Sequence, residues 1–204
     1  MYNFTLVHQL NSLIFCDRLN EIVYLTQSEK FMQIGWRVSS MSTLDAGKVQ
    51  IYYGNGQGKS SAALGNALRY ACTDKKAIII TFLKGPDQGD FMSRLEPEIR
   101  FFRFERSNAD FDSLTDEEKA EEKQNIRNGL NFAKKVLSTE ECDLLILDEV
   151  LGAVSEDMIT ADEIKNVLSV RSIFTNVILT GRALPEELRD SADEIVNILA
   201  EKVS

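Results

Sequence analysis

The sequence predicts an α/β fold in which a mostly parallel β-sheet is covered by helices on both faces. From Lys48 onward, strand signals and helix signals alternate regularly, as they do in β-α units. Two strand candidates, around Ile78–Ile80 and Leu144–Leu147, are apolar at every position, which is typical of central strands buried on both sides. A glycine-rich turn at 54–58 joins the first strand candidate to the first helix candidate.

The predicted strands are the short apolar and β-branched stretches between turn and cap signals. They span Val49–Tyr53, Ala77–Phe82, Ile99–Phe104, Leu144–Asp148, Val177–Thr180 and Glu194–Ile198. The helix after the glycine-rich turn is predicted at 59–72, where small residues allow close packing on the sheet. Pro185, followed by two glutamates, indicates another helix start with proline in its first turn.

Two further helices are predicted from capping boxes, in which a threonine and a glutamate three residues later satisfy each other's backbone amides. Thr115 and Glu118 begin the first of these helices, and Thr160 and Glu163 begin the second. The acidic run 116–122 is interpreted as a solvated first turn rather than as a metal site.

Composition narrows the possible partners. The 204 residues carry a formal net charge of −9, which argues against a general nucleic-acid-binding surface. A single histidine, His8, excludes histidine-based triads and zinc sites, and three cysteines without metal-ligand spacing indicate reduced thiols in a cytoplasmic protein. No apolar stretch approaches the roughly 20 residues that cross a bilayer, so no membrane partner is expected.

The turn after the first strand predicts a phosphate-binding loop. Glycines alternate through Gly54–Gly58, where they permit backbone torsions and close approach that a side chain would block. The amides from Asn55 to Ser61 can then point inward as a nest for oxyanions at the start of a helix. Lys59 adds a positive charge for the outer phosphates, and the hydroxyl of Ser60 can ligate Mg²⁺.

The loop departs from two common patterns. The usual phosphate-binding loop has a glycine where Tyr53 stands, and the dinucleotide fingerprint requires a glycine where Lys59 stands. A glycine-rich hairpin with a chance Lys-Ser pair is the alternative interpretation. The apolar stretch before the turn and the helical pattern after it favour the phosphate-binding loop, and with it a P-loop NTPase-like (RecA-like) fold.

A second part of the site is predicted where the strand Leu144–Asp148 ends in two carboxylates, Asp148 and Glu149. In proteins with this loop, an acid at such a strand end faces the metal on the neighbouring loop. Asp148 is expected to bind Mg²⁺ directly or through water, and Glu149 to ligate it or to orient a water molecule. An apolar strand that ends in two acids is weak evidence alone, but its place after the loop fits this fold.

Two cations also follow predicted strands. Lys84 and Arg182 leave the sheet on its carboxyl side, where open α/β sheets bind their ligands. Either residue could contact phosphates or a carboxylate-bearing substrate, and either could equally be a solvent-exposed charge beside a turn glycine.

The chain is predicted to comprise an N-terminal extension of uncertain structure, residues 1–45, and a P-loop nucleotide-binding domain, residues 46–204. Met41 would make a natural start for the domain, so one hypothesis is that residues 1–40 are an upstream extension, such as a start-site artefact. The other is a helix that covers the active site or a partner subunit. N-terminal mass analysis of the native protein distinguishes the two.

Four segments resemble a known family in their order along the chain. They are Tyr53–Gly65, Thr81–Gly85, Leu145–Glu149 and Val177–Leu188, and the last continues into a similar stretch at Ser191–Val196. Together they are similar to the P-loop ATP:corrinoid (cob(I)alamin or cob(I)yrinic acid a,c-diamide) adenosyltransferases of cobalamin biosynthesis and salvage. In this family a residue other than glycine precedes the loop, as the tyrosine does here.

The resemblance implies transfer of the 5′-deoxyadenosyl group from ATP to a reduced Co(I) corrinoid, with release of intact triphosphate. Cobalt supplies the nucleophile, so no nucleophilic side chain is required. The resemblance also implies Mg²⁺ or Mn²⁺, a homodimer, and a possible partner that reduces Co(II).

It further implies roles for individual residues. Lys59, Ser60 and Glu149 are the expected catalytic residues, and Ser60, Asp148 and Glu149 are the expected metal ligands. Phe91 and Phe111 are candidates for contact with the corrin ring, with burial in the core as the alternative. The residues expected to bind ATP are Gly54, Asn55, Gly56, Gln57, Gly58, Lys59, Ser60, Ser61, Lys84 and Arg182.

Two alternative functions stay open. In residues 86–94 the aromatic position that is usual in the family is vacant or displaced to Phe91, and the Gly-Glu-Arg-like stretch is altered. This favours a divergent relative that binds ATP without transferring its adenosyl group. The other alternative is a small P-loop ATPase or kinase-like enzyme, for which Glu149 would have to act as the base.

Overall fold

The computed structural model describes residues 46–83, 93–104 and 111–202. Within these ranges the strands are β1 (Val49–Tyr53), β2 (Ala77–Thr81), β3 (Ile99–Arg103), β4 (Leu144–Asp148), β5 (Asn176–Gly181) and β6 (Glu194–Asn197). They form one sheet in the order β3-β2-β4-β5-β1-β6, and every pairing is parallel. The predicted α/β fold with a RecA-like parallel sheet is confirmed.

Helices connect most of these strands. They are α1 (Lys59–Ala71), α2 (Asp116–Ser138), α3 (Val150–Ser155) and α4 (Ala161–Leu168), with 3-10 helices at Phe111–Ser113 and Glu186–Ser191. Both predicted capping boxes are present, because Thr115 and Glu118 satisfy each other's amides before α2, as Thr160 and Glu163 do before α4. No helix in the described ranges combines the length and apolar content needed to cross a membrane.

The two faces of the sheet are buried in separate apolar clusters. Ile78 and Ile80 of β2 belong to a cluster that includes Ile126 of α2 and side chains of α3 and α4. Ile79 between them belongs to the other cluster, with Ala67 of α1. Successive strand residues point to opposite faces, so an uninterrupted apolar run needs helices on both sides. The structure provides them.

Two expectations from the sequence need correction, and one helix was not predicted. The segment 150–155 forms α3, which was not predicted because six residues are too few to show helical periodicity. The helix expected from Pro185 is the 3-10 helix Glu186–Ser191, with Pro185 at its N-cap rather than in its first turn. Glu122, expected in a solvated turn, is only 5% exposed. It lies one turn before the buried Ile126 on the same face of α2.

The topology determines where the functional residues meet. Parallel strands place all their carboxyl ends at one edge of the sheet. Because β5 lies between β1 and β4, the loop after Tyr53, the turn after Gly181 and the acid at Asp148 converge at this edge. The domain boundary at residue 45 stays a prediction, since residues 1–45 lie outside the described part of the chain.

Candidate active site

The loop after β1 requires glycine at specific positions. Gly54 and Gly58 have φ angles of 123° and 102°, which L-residues with side chains rarely adopt. A Cβ on Gly54 would also collide with the carbonyl oxygen of Ile198, and one on Gly56 would lie 2.8 Å from the same oxygen. The alternating glycines therefore serve two needs, the sharp turn itself and the close approach of the segment after β6.

That segment fastens the loop through backbone hydrogen bonds. The amide of Ile198 donates to the Tyr53 carbonyl at 2.7 Å, and the Gly56 amide donates to the Ile198 carbonyl at 2.9 Å. The Gly54 amide donates to the Arg182 carbonyl at 3.1 Å. The expectation that all amides from 55 to 61 point inward therefore does not hold at Gly56, whose amide is bonded to a neighbouring strand extension instead.

Lys59 lies inside its own loop. Its Nζ donates to the carbonyl oxygens of Gly54 and Gly56, at 2.9 Å each, and the residue is only 8% exposed. Helix α1 begins at this lysine after Gly58, and no side chain caps its first turn. Helix N-terminal amides without such a cap are suited to bind an anion, and the helix dipole adds to the attraction.

The carboxylate of Asp148 links the loop to the end of β4. It is 6% exposed, and its Oδ1 accepts hydrogen bonds from Ser60 Oγ at 2.8 Å and from Thr180 Oγ1 at 2.6 Å. The Thr180 oxygen in turn accepts from the backbone amide of Glu149 at 2.8 Å. Four residues from α1, β4, the turn before α3 and β5 thus form one continuous hydrogen-bond network.

Glu149 has an unusual backbone and a perturbed carboxyl group. It adopts the left-handed conformation, with φ 57° and ψ 22°, as the residue before α3. Its side chain is half-buried, and burial together with the neighbouring Asp148 raises its pKa. The positive charges of Lys59 and Arg182 oppose this rise. The charges of two cations and of a second carboxylate therefore act on Glu149.

The oxygen donors at this point fit a hard divalent cation that is shared with a bound ligand. Ser60 Oγ and the Asp148 carboxylate already lie at hydrogen-bond distance, and both are ligand types preferred by Mg²⁺ and Mn²⁺. In the described ranges, no group of three His, Cys, Asp or Glu side chains could hold a metal ion on its own. Magnesium is commonly bound by one or two carboxylates together with substrate phosphates, and this donor set matches that arrangement.

A pocket of about 330 Å³ opens beside the network. It is lined by Ser60 and Asp148, and by apolar residues that include Leu64, Ile79 and Phe101. These residues come from α1, β2, β3 and β4, so the pocket lies on the α1 side of the sheet. An apolar cavity next to polar, anion-binding groups is the usual form of a small-molecule site.

The other predicted site residues are placed as follows. Arg182 is exposed directly after β5, and its carbonyl contacts the loop. Phe111 is half-buried, and the Nζ atoms of Lys119 and Lys123 lie 5.8 and 6.0 Å from its ring centroid. Lys84 and Phe91 lie outside the described residues, so their predicted roles stay predictions.

Sequence reasoning missed two contributors to the site. Thr180 was noted only as part of the stretch before Arg182, although a polar residue closing an otherwise apolar strand was the available signal. Ile198 contributes through its backbone, for which the sequence offers no signal. Both residues contact partners that lie more than 30 positions away in the sequence. Thr180 contacts Asp148, and Ile198 contacts Gly56.

Comparison with known proteins gives a consistent family. Residues 45–203 match the family model described as ATP:corrinoid adenosyltransferase BtuR/CobO/CobP. The corrinoid adenosyltransferase of Escherichia coli (strain K12) is 28% identical over 151 residues, which cover 74% of this chain and 76% of the relative. The corrinoid adenosyltransferase CobA of Salmonella typhimurium is 27% identical over 158 residues, again covering 74% and 76%.

Among solved structures, the flagellar accessory protein FlaH from Methanocaldococcus jannaschii is 16% identical, with a TM-score of 0.46. The match covers 75% of this chain and 71% of that one. A likeness this distant carries no information about function.

Proposed function

The chain belongs to the ATP:corrinoid adenosyltransferase family BtuR/CobO/CobP, and we propose that it transfers the 5′-deoxyadenosyl group of ATP to a reduced Co(I) corrinoid. The observation that carries this proposal is the hydrogen bond of 2.8 Å between Ser60 Oγ and Asp148 Oδ1. It brings the glycine-rich loop and a buried carboxylate to one point, which is the arrangement that a nucleotide with its divalent cation requires. The proposed acceptor is cob(I)alamin or cob(I)yrinic acid a,c-diamide.

The proposed reaction asks for positioning rather than for a protein nucleophile. The Co(I) centre of the substrate donates an electron pair to the ribose C5′, and the C5′–O bond breaks. Triphosphate leaves with the bonding pair, and cobalt becomes formally Co(III). The protein has to hold C5′ in line with cobalt and to stabilise negative charge on the leaving triphosphate. A site made of amides, a lysine and oxygen donors suits those two tasks.

Lys59 and the first turn of α1 are proposed to bind the triphosphate. Lys59 Nζ would exchange the carbonyl oxygens of Gly54 and Gly56 for phosphate oxygens, so its charge is already held within the loop before ATP arrives. Charge-assisted hydrogen bonds from a lysine to phosphate are stronger than those to a neutral carbonyl, which favours the exchange. Arg182 and Lys84 are proposed as further phosphate contacts from the same edge of the sheet.

Ser60, Asp148 and Glu149 are proposed to hold Mg²⁺ or Mn²⁺ together with the nucleotide. The bound ion would neutralise charge that develops on the triphosphate. Asp148 is kept close to Ser60 by two hydroxyl donors. Burial and the charge of Asp148 raise the pKa of Glu149, the positive charges of Lys59 and Arg182 oppose that rise, and a bound cation would favour the ionised form.

The corrinoid is proposed to bind next to the nucleotide. The pocket beside Ser60 and Asp148 is adjacent to the place where the triphosphate would bind, which suits a second substrate. Phe91 and Phe111 stay the proposed corrin contacts. A homodimer, a cytoplasmic location and a partner that reduces Co(II) are further proposals that follow from the family.

The proposal is tested by incubating the protein with ATP, Mg²⁺ and chemically reduced corrinoid, and following the absorbance of adenosylcorrinoid. We expect the wild type to form this product. The Asp148→Asn variant should be slower by roughly 100-fold or more, because the cation that neutralises charge on the leaving triphosphate would lose a charged ligand. The matched control is Asp143→Asn, since Asp143 precedes the opposite end of β4 and contacts the Lys76 amide. Its rate should equal that of the wild type.

The same assay separates the alternatives. Phosphate and ADP without adenosylcorrinoid would indicate a hydrolase or kinase-like enzyme. ATP binding without turnover, with every corrinoid tried, would indicate a relative that no longer transfers the adenosyl group. Either result would contradict the proposed activity.

A further inference from the structure

Thr180 sits at the centre of the hydrogen-bond network between the loop and the carboxylates. It is completely buried near the end of β5, the strand that lies between β1 and β4. Its hydroxyl donates to Asp148 Oδ1 at 2.6 Å and accepts from the Glu149 amide at 2.8 Å. The backbone amide can only donate and the ionised carboxylate can only accept. The hydroxyl therefore accepts from the amide and gives its single hydrogen to the carboxylate.

Each of the two contacts constrains a different acid. The bond to Asp148 holds one carboxylate oxygen in place beside Ser60, whose hydroxyl donates to the same Oδ1 atom. The bond to the Glu149 amide supports a backbone conformation with φ 57° that a glutamate rarely adopts. Such conformations persist where surrounding contacts hold them, and they cluster at functional sites.

We propose that Thr180 is a positioning residue, which orients Asp148 and Glu149 so that they bind the nucleotide's divalent cation. The inference rests on the proposed function in assuming that the site binds a metal with ATP. Ser60 can ligate a cation through an oxygen lone pair and still donate its hydrogen to Asp148. Thr180 is the second hydroxyl donor to the same oxygen, and it is the one that comes from outside the loop. Residues that hold metal ligands in place in this way commonly change metal affinity or activity by about 10- to 100-fold when removed.

The test compares Thr180→Val with Thr180→Ser by a binding measurement that does not depend on turnover. Valine keeps the shape of the side chain and removes the hydroxyl, whereas serine keeps the hydroxyl. Mn²⁺ binding is measured by electron paramagnetic resonance in the presence of ATP, and ATP binding is measured by calorimetry in EDTA. For Thr180→Val we expect Mn²⁺ affinity to fall by about 10-fold or more. Its metal-free ATP affinity should be unchanged, and Thr180→Ser should match the wild type within a few-fold.

A role in folding alone would give a different pattern. It would lower the thermal stability of Thr180→Val and leave the Mn²⁺ affinity of the folded protein unchanged, which would overturn the inference. If valine prevents folding, Thr180→Cys provides the comparison, because a thiol fills the same space but is a weak hydrogen-bonding group. Equal Mn²⁺ affinity in that variant would also overturn it.

Failure of the positioning role of Thr180 can be distinguished from failure of the proposed adenosyl transfer. A wild-type protein that binds Mn²⁺ with ATP but forms no adenosylcorrinoid would contradict the proposed reaction, while the Thr180 variants would still test the positioning role. A wild-type protein that binds no Mn²⁺ in the presence of ATP would overturn the positioning role itself, since there would be no metal site to organise.

Discussion

Lys59 holds a buried positive charge within the loop that it is proposed to serve. Its Nζ lies 2.9 Å from each of two loop carbonyl oxygens, and no other lysine or arginine in the described ranges is buried. An incoming polyphosphate therefore meets a cation already held among backbone groups. Much of the ordering that binding requires has taken place in advance, which favours affinity.

Replacing this lysine should weaken nucleotide binding. In Lys59→Ala we expect ATP affinity to fall by at least about 10-fold, because a hydrogen bond to a charged group contributes roughly 1.5–3 kcal/mol. Isothermal titration calorimetry measures the change. The control is Lys75→Ala, which removes a lysine beyond the end of α1 whose Nζ lies 5.3 Å from the centroid of the Tyr70 ring. Unchanged ATP affinity in a folded Lys59→Ala protein would contradict the assignment of the loop.

Glu149 should make the stability of the protein depend on pH. Burial and the charge of Asp148 raise its pKa, so the folded chain binds this proton more tightly than the unfolded chain does. Stability contributed by this group therefore falls as pH rises from its ordinary pKa through the raised one. In Glu149→Gln we expect a higher urea midpoint than the wild type at pH 7. The difference should shrink toward zero as pH falls to about 4.

A surface glutamate with the opposite shift provides the matched control. Hydrogen bonds from the Thr115 amide and hydroxyl lower the pKa of Glu118. The stabilisation from Glu118 is therefore present above its ordinary pKa and is lost as pH falls through the lowered one. Glu118→Gln should lower the urea midpoint at pH 7, where Glu149→Gln raises it. Two shifts of the same sign would contradict this account of Glu149.

Among individual site residues, those that belong to a motif of a few consecutive positions could be predicted from the sequence. The spacing of three glycines, a lysine and a serine is contained in Gly54–Ser60, and a strand followed by two acids is contained in 144–149. The Ser60–Asp148 contact joins these two motifs across 88 positions of the chain. A polar residue at the end of β5 is visible in the sequence, but the contacts of Thr180 with Asp148 and Glu149 could not be derived, because they depend on the pairing of β5 with β4 and on the orientation of one hydroxyl.

The segment after β6 acts as a structural part of the nucleotide loop. It continues the pairing with β1 through the bond between the Ile198 amide and the Tyr53 carbonyl, and it then accepts the Gly56 amide. The Ala200 amide donates to Asn55 Oδ1 at 3.4 Å, a long contact that extends the same path. The conformation of the loop thus depends on an element almost 150 positions away in the chain.

Removing this element should impair the loop. For a chain that ends at Asn197 we expect a lower thermal midpoint and ATP affinity reduced by about 10-fold. The two backbone hydrogen bonds of Ile198 with Tyr53 and Gly56, at about 1 kcal/mol each, are lost, and 1.4 kcal/mol corresponds to one factor of ten. A chain that ends at Lys202 is the control and should behave as the full chain does. Equal ATP affinity for both truncated chains would show that the loop keeps its conformation without the segment.

Elements were predicted best where packing or capping leaves a pattern in the sequence. Both capping boxes were recognisable, because a threonine and a glutamate at that spacing have a defined geometry. The six-residue helix α3 was not, because it is shorter than two helical turns and follows the strained backbone of Glu149 directly. The 3-10 helix at Glu186–Ser191 shows that a proline start indicates a turn of helix without determining its type.

In the molecule as a whole, the order of the strands in the sheet brings the parts of the site together. The carboxylates after β4 and the loop after β1 are separated by β5, so the space between them is bridged by the side chains of Ser60, Asp148 and Thr180. The described residues contain no complete metal cage, and the ion would need phosphate oxygens as further ligands. Metal binding and ATP binding are therefore expected to be coupled.

This coupling is measurable as a mutual increase in affinity. We expect Mg²⁺ to raise ATP affinity by roughly 5- to 150-fold over EDTA, the usual range for two linked sites. In Asp148→Asn the increase should largely disappear, while Asp143→Asn should keep it. Calorimetric titrations of ATP with and without Mg²⁺ provide the comparison. An equal effect of Mg²⁺ in all three proteins would place the metal away from Asp148.

The most direct measurement of the central claim is the fate of the phosphates during turnover. ³¹P NMR of the wild-type protein with ATP, Mg²⁺ and reduced corrinoid should show intact triphosphate accumulating in a one-to-one ratio with adenosylcorrinoid. That result follows if the loop and the carboxylates hold the triphosphate as a leaving group while cobalt attacks C5′. Resonances of ADP and inorganic phosphate instead would show that a phosphoryl bond is broken, and would contradict the account.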